Sequence, residues 1–130
     1  APHGNSVVLN ADEDLTVCAD PDKLARVFGN ILKNAALYSY PDTKIIISAS
    51  EADGQIVFSV QNKGNTIPKE RLPSLFDKFY RLDKARMSDT GGTGLGLAIA
   101  KEIVILHGGS ICAASENNTV TIIIRLPKDG

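Results

Sequence analysis

Tryptophan is absent from these 130 residues, aromatic residues make up only 5%, and neither sign of charge prevails. Lys+Arg 14 against Asp+Glu 15 leaves a formal net charge of -1. That is not the basic balance of a chain that gathers nucleic acid or an anionic membrane surface. Cysteine is scarce: Cys18 and Cys112 stand far apart in no Cys-x-x-Cys pair, and with only two histidines a zinc site is not expected. Both cysteines fall in apolar, strand-like stretches, which predicts buried thiols in a reducing compartment. No apolar run approaches the roughly 20 residues that span a bilayer, and no signal-peptide pattern opens the chain. Any spanning segments of a membrane receptor would therefore lie outside it. What is present is ordinary: 43% hydrophobic and 22% charged residues describe one globular domain with a real core.

Residues 1–5 read as a loose end, 6–127 as the domain, and 128–130 as a C-terminal end. Strands are expected at 6–10 and 15–19, around the acidic turn Asp12-Glu13-Asp14. Asp20 can cap a helix and Pro21 suits its first position. Leu24, Val27, Phe28, Ile31, Leu32 and Ala35 then recur at helical spacing, so a helix is predicted to run to about Tyr38. Strands at 43–51 and 55–61 flank the hairpin signal Ala52-Asp53-Gly54. A turn-rich stretch at 62–68 precedes a short helical stretch at 69–79. A final helix at 95–107 stops at Gly108-Gly109, and a hairpin of 110–116 with 119–126 closes the chain around Asn117-Asn118. This order predicts an α/β (α+β) two-layer sandwich. Its mixed sheet would hold about five strands plus a short first strand, packed on about three helices.

Three features invite chemistry. Asn30 and Asn34 stand one turn apart on the flank of the apolar stripe. Mid-helix Asn is disfavoured by several tenths of a kcal/mol relative to Ala, because its amide competes for backbone bonds. They are either solvated residues at the stripe's edge or a polar strip whose amide oxygens could hold a hard cation such as Mg²⁺. Gly91-Gly92-Thr93-Gly94-Leu95-Gly96-Leu97 leads a glycine run into a helix start, where free N–H groups suit an anion. It is no P-loop, since no Gly-Lys-Ser/Thr follows, and no strand precedes it as a dinucleotide fingerprint requires. Phe76-Asp77-Lys78-Phe79-Tyr80-Arg81 offers two core anchors and, with Lys84 and Arg86, cations for a phosphate or a solvated face.

Together these features resemble the motif set of histidine kinases. Asn30-Ile31-Leu32-Lys33-Asn34-Ala35 resembles the N box and 76–81 the F box. Asn62-Lys63-Gly64-Asn65-Thr66 stands in the place of the G1 box, and Gly92-Thr93-Gly94-Leu95-Gly96-Leu97 matches the G2 signature. Asp22-Lys23-Leu24-Ala25-Arg26-Val27-Phe28 and Lys78-Phe79-Tyr80-Arg81-Leu82-Asp83 are similar to vancomycin-resistance sensor kinases of the VanS type. The resemblance implies the Bergerat ATP-binding fold, with a lid at about 82–91. It also implies Mg²⁺-ATP as ligand and γ-phosphoryl donation to a histidine on a separate dimerisation domain.

By the same resemblance Asn34 would ligand Mg²⁺, Asn30 would assist, and Arg81 would meet the terminal phosphate. Lys33, Tyr38, Asn62, Gly64, Ile67, Tyr80, Gly92, Thr93, Gly94, Leu95, Gly96 and Leu97 would complete the nucleotide site. A response regulator would be reached through the histidine domain. The chain, itself monomeric and without direct membrane or nucleic-acid contact, would be the cytoplasmic portion of a membrane sensor.

Three positions depart from the pattern. Asn62 replaces the usual Asp, Thr66 a glycine and Leu37 a frequent Lys, so a weaker hold on ATP is implied. Asn30 stands where superfamily ATPases carry the Glu that activates water, and an amide has no useful pKa for that task. A gyrase- or Hsp90-like ATPase and a nucleotide-binding module without catalysis remain the alternatives. Neither His3 nor His107 is expected to accept the phosphoryl group.

Overall fold

Asp20 opens the first helix as expected: its carboxylate accepts from the amides of Asp22 at 2.9 Å and Lys23 at 3.2 Å, satisfying donors that the first turn leaves bare. In the computed structural model, which describes residues 6–11, 19–78 and 95–128, that helix is α1, Pro21–Tyr38. Val27, Ile31 and Ala35 lie buried along its inner stripe, and Leu24, Phe28 and Leu32 pack partly buried beside them. The strands are β1 (Ser6–Ala11), β2 (Lys44–Ala52), β3 (Gln55–Lys63), β4 (Ser110–Glu116) and β5 (Thr119–Pro127), with α2 (Gly96–Leu106) between β3 and β4.

They form one five-stranded sheet in the order β1-β2-β3-β5-β4. The β1–β2 pair is parallel and the others are antiparallel, so the sheet is mixed. Asp53 (φ 52) with Gly54 (φ 76), and Asn117 (φ 51) with Asn118 (φ 56), turn the two hairpins in the left-handed region. Two such residues in succession match a turn to the right-handed strand twist. Strand alternation then sends Ile56 and Val60 of β3 and Val120, Ile122, Ile124 and Leu126 of β5 into the layer beneath the helices. Phe28 of α1 meets Phe58 of β3 edge to face, with centroids 5.1 Å apart. The architecture is the two-layer α/β sandwich that the pattern predicts.

Five expectations are revised or fall outside the described residues. The helical stretch at 69–79 is not one helix but two 3₁₀ turns, Lys69–Arg71 and Pro73–Phe76. Pro73 has no N–H to give the Lys69 carbonyl, so the Leu72 amide takes it instead at 3.3 Å. Phe76 still anchors the core, 7% exposed. Cys112 is exposed rather than buried. Along β4 the half-buried Ile111, Ala113 and Ser115 alternate with exposed neighbours, so Cys112 points to the face without helices. Cys18, most of the strand expected at 15–19, and the expected lid lie outside the described residues, while Ala19 forms a bend rather than strand. No helix among the described residues is long and apolar enough to cross a membrane.

Candidate functional site

Residues four apart share a helix flank, and along α1 this brings Asn30, Asn34 and Tyr38 into one row, all half-buried. The row spans about 12 Å at 1.5 Å of rise per residue. Lys33, a position off the row, is exposed.

At one end the row meets α2. A Cβ placed on Gly96 would lie 3.7 Å from Asn30 Cβ and 3.8 Å from its Cγ. These are ordinary contact distances, so the first turn of α2 packs beside the asparagine. The Ile99 amide is bonded to Leu95 O at 2.9 Å, and the amides before it in α2 have no acceptor within the helix. They carry the positive end of its dipole. Asn30 Nδ2 is buried and without a hydrogen-bond partner among the described residues. Leu97 turns away into the core, 6% exposed, while Leu95 is half-buried at the helix start.

At the other end the row opens into a cavity of about 540 Å³, with Asn34, Tyr38, Asn62 and Ile67 in its wall. Asn62 is only 5% exposed, and its Nδ2 makes no hydrogen bond among the described residues. A polar group in such a wall bonds to whatever fills the cavity. Among the described residues the other buried polar side chain, Ser39, is satisfied by donating to Ala35 O.

The loop after β3 is pinned on both sides. Tyr40 donates its amide to Lys63 O at 2.8 Å, and Gly64 donates its own to Asn118 O at 3.0 Å. Thr66 Oγ1 accepts from the Asn118 amide at 2.8 Å. The Ile67 amide donates to Ser115 Oγ at 2.9 Å, and that hydroxyl donates onward to Thr119 O. Thr66 therefore ties the loop to the β4–β5 turn, where a glycine would have offered no hydroxyl.

Among the described residues no group of three or more His, Cys, Asp and Glu side chains gathers as a metal site. The donor set on the row is amide oxygen, a hard ligand. It fits a cation such as Mg²⁺ that takes few protein ligands and completes its shell with water and phosphate.

A model of histidine kinase-, DNA gyrase B- and HSP90-like ATPases matches residues 19–130. The chain belongs to that family. Within it, this is a domain of the histidine kinase class. It is 56% identical to the sensor protein VanS of Enterococcus faecium over 125 residues, which cover 96% of this chain and 32% of that protein. The catalytic domain of histidine kinase ThkA superposes with a TM-score of 0.84 at 30% identity, covering 98% of this chain and 82% of that one. ThkA in complex with the response regulator protein TrrA gives 0.80 at 28% identity, covering 98% and 35%. The chain spans between about a fifth and a third of the length of the curated relatives it matches.

Around its cavity the domain gathers Asn34, Tyr38, Asn62 and Ile67 from the sequence-derived set, with Asn30 and Gly96 meeting a turn away. Gly64 is buried beneath the loop, against Tyr38 O. Tyr80, Arg81, Gly92, Thr93 and Gly94 lie outside the described residues. Sequence reasoning missed Tyr40, Asn65 and Arg71, all in the cavity wall. Tyr40 donates its hydroxyl to Asn65 Oδ1 at 2.8 Å, across 25 residues of chain. No local spacing announces that pair, and Arg71 sits in a turn whose pattern reads as plain surface.

Proposed function

We propose that this domain binds Mg²⁺-ATP and donates the γ-phosphoryl group to a histidine on a separate helical dimerisation domain of a two-component sensor kinase. One observation carries the reading: Asn30, Asn34 and Tyr38 lead from the first turn of α2 to the cavity that contains the buried amide of Asn62. Tyr38, Ile67, Leu75 and Val120 give the cavity apolar surface suited to a nucleobase. The bare amides at the start of α2 suit phosphate oxygens.

Asn34 Oδ1 would hold the Mg²⁺ and Asn30 would stand next to it or to the phosphates. A bound Mg²⁺ supplies charge neutralisation for the phosphates. By motif, Arg81 would meet the γ-phosphate, and Gly92, Thr93 and Gly94 would border its path. The domain's own residues thus orient and neutralise. A histidine nitrogen of the partner domain bonds to the γ-phosphorus as the bond to the β-phosphate oxygen breaks. ADP leaves with that electron pair, and the proton of the histidine passes to a base outside this chain.

Two features favour transfer over hydrolysis. Asn30, on the row beside α2, cannot take a proton from water near neutral pH. His107 is no free acceptor: its Nδ1 lies 2.8 Å from Ile103 O, and its Nε2 accepts the Asp20 amide at 3.3 Å. The 56% identity to VanS supports placing the domain in glycopeptide-antibiotic resistance signalling, as the cytoplasmic portion of a membrane sensor. The histidine domain would pass the phosphoryl group to a response regulator.

The test mixes this chain, Mg²⁺ and γ-labelled ATP with its parent's histidine domain. Label should move to that domain, while phosphate release by the chain alone stays at background. ATP binding without label transfer would defeat the kinase reading, and steady phosphate release by the chain alone would favour an ATPase.

A further inference from the structure

Asn62 stands opposite Val120 of β5 in the sheet register, so its side chain points into the helix-covered layer with those of Ile56 and Val60. There it lines the cavity, 5% exposed, with Nδ2 unbonded among the described residues. Of the other amides in that wall, Asn65 already accepts from Tyr40 at 2.8 Å, and Asn34 is only half-buried. The space beside the Asn62 amide is kept by Gly64, on which a Cβ would come within 3.2 Å of Asn62 Nδ2. Asn62 is therefore the polar group best placed to read the edge of a flat ring held between the apolar walls.

Resting on the nucleotide reading above, we propose that Asn62 makes this site tolerant of the purine 6-substituent. It would accept 6-oxopurine nucleoside triphosphates about as well as the 6-aminopurine ATP. A primary amide carries one acceptor, Oδ1, next to one donor, Nδ2. Adenine offers a donor at N6 next to an acceptor at N1, and the amide meets both. Hypoxanthine and guanine offer the reverse, an acceptor at O6 next to a donor at N1. Turning the amide over by 180° about its last torsion meets that edge equally, because the two ends are nearly the same size and shape. An ionised carboxylate in the same place would be acceptor-only. It would bond to N6 of adenine and face O6 of an oxopurine with like charge.

The experiment is competition against a fluorescent ATP analogue on the 130-residue chain with Mg²⁺, using ATP, ITP and CTP as competitors, for the wild type and Asn62→Asp. ATP and ITP should displace the probe from the wild type within about threefold of each other, with CTP at least tenfold weaker, while N62D separates ATP from ITP by tenfold or more. Tenfold corresponds to about 1.4 kcal/mol. A wild type that prefers ATP over ITP by more than tenfold overturns the proposal and leaves the nucleotide site standing. Failure of all three to displace the probe, or of the probe to bind, overturns both. If N62D does not fold, the triphosphate of unsubstituted purine riboside decides on the wild type alone. Lacking any 6-substituent, it should compete about tenfold more weakly than ATP and ITP alike, and equal competition by all three would show that Asn62 does not read that edge.

Discussion

A methyl group on residue 64 would sit 2.5 Å from Tyr38 O and 3.2 Å from Asn62 Nδ2, and the nearer of these is backbone that cannot rotate aside. Gly64→Ala must push the loop off the end of α1. The expected loss is about 1–3 kcal/mol of stability, in the range of overpacked sites, read as a lower urea midpoint with unchanged slope, together with weaker nucleotide binding. Asn34 calls for a different readout, since it is half-buried and its removal should hardly touch folding. For Asn34→Ala, the gain in ATP affinity on adding Mg²⁺ should fall by tenfold or more, while affinity measured in EDTA stays near that of the wild type. Fluorescent titration checks it, and an undiminished Mg²⁺ effect would remove Asn34 from the metal shell. The helix positions Asn30 and Asn34 were legible in sequence because Asn is a poor choice there. Tyr40, Asn65 and Arg71 were not, because what brings them to the cavity is a loop fold set by bonds across 25 to about 50 residues.

Elements were legible wherever a local rule sufficed. The N-cap and Pro21 mark the start of α1, and the residue pairs Asp53-Gly54 and Asn117-Asn118 mark both hairpins. Periodicity failed at 69–76, where the apolar spacing of a helix was present but Pro73 denied it a bond and left 3₁₀ turns. It also could not say which face of β4 carried Cys112, since a short apolar run does not identify its buried side. A contact between elements escaped altogether. His107 ends α2, with Gly108 (φ +77) taking the left-handed position after it. Its ring bridges Ile103 O and the amide of Asp20, the residue that caps α1. With Nδ1 donating and Nε2 accepting, one ring couples the C-terminal turn of α2 to the N-terminus of α1. His107→Ala should therefore lose about 1–2 kcal/mol, two hydrogen bonds at the usual net value, in urea unfolding. Because the bridge lies at the opposite end of α2 from Gly96, nucleotide affinity should change less than twofold. A large affinity loss at unaltered stability would mean that His107 belongs to the site.

At the scale of the whole molecule, the sandwich brings together segments that the chain keeps apart: 30–41 from α1 and its exit, 62–71 after β3, and the start of α2 at 95–97. Only the fold sets them along one flank of α1, which is why the motifs could be named in sequence while the cavity could not. Their unity can be measured by hydrogen exchange with and without Mg²⁺-ATP. Ligand at a hundredfold excess over Kd stabilises the native state by about 2.7 kcal/mol, so amides that exchange only through global unfolding slow everywhere, near the site or not. Those amides cannot discriminate. The informative ones would be those amides of 62–68 and of the helix entrance at 95–98 that exchange by local opening in the free protein. If one triphosphate ligand bridges the cavity and the helix entrance, both sets should slow together at the same nucleotide concentration, while locally exchanging amides of the exposed β4 edge stay unchanged. Protection of the loop alone would mean that the base is held but the phosphates go elsewhere. The row from Asn30 to Tyr38 would then be a packing seam between two helices instead of the floor of a nucleotide site.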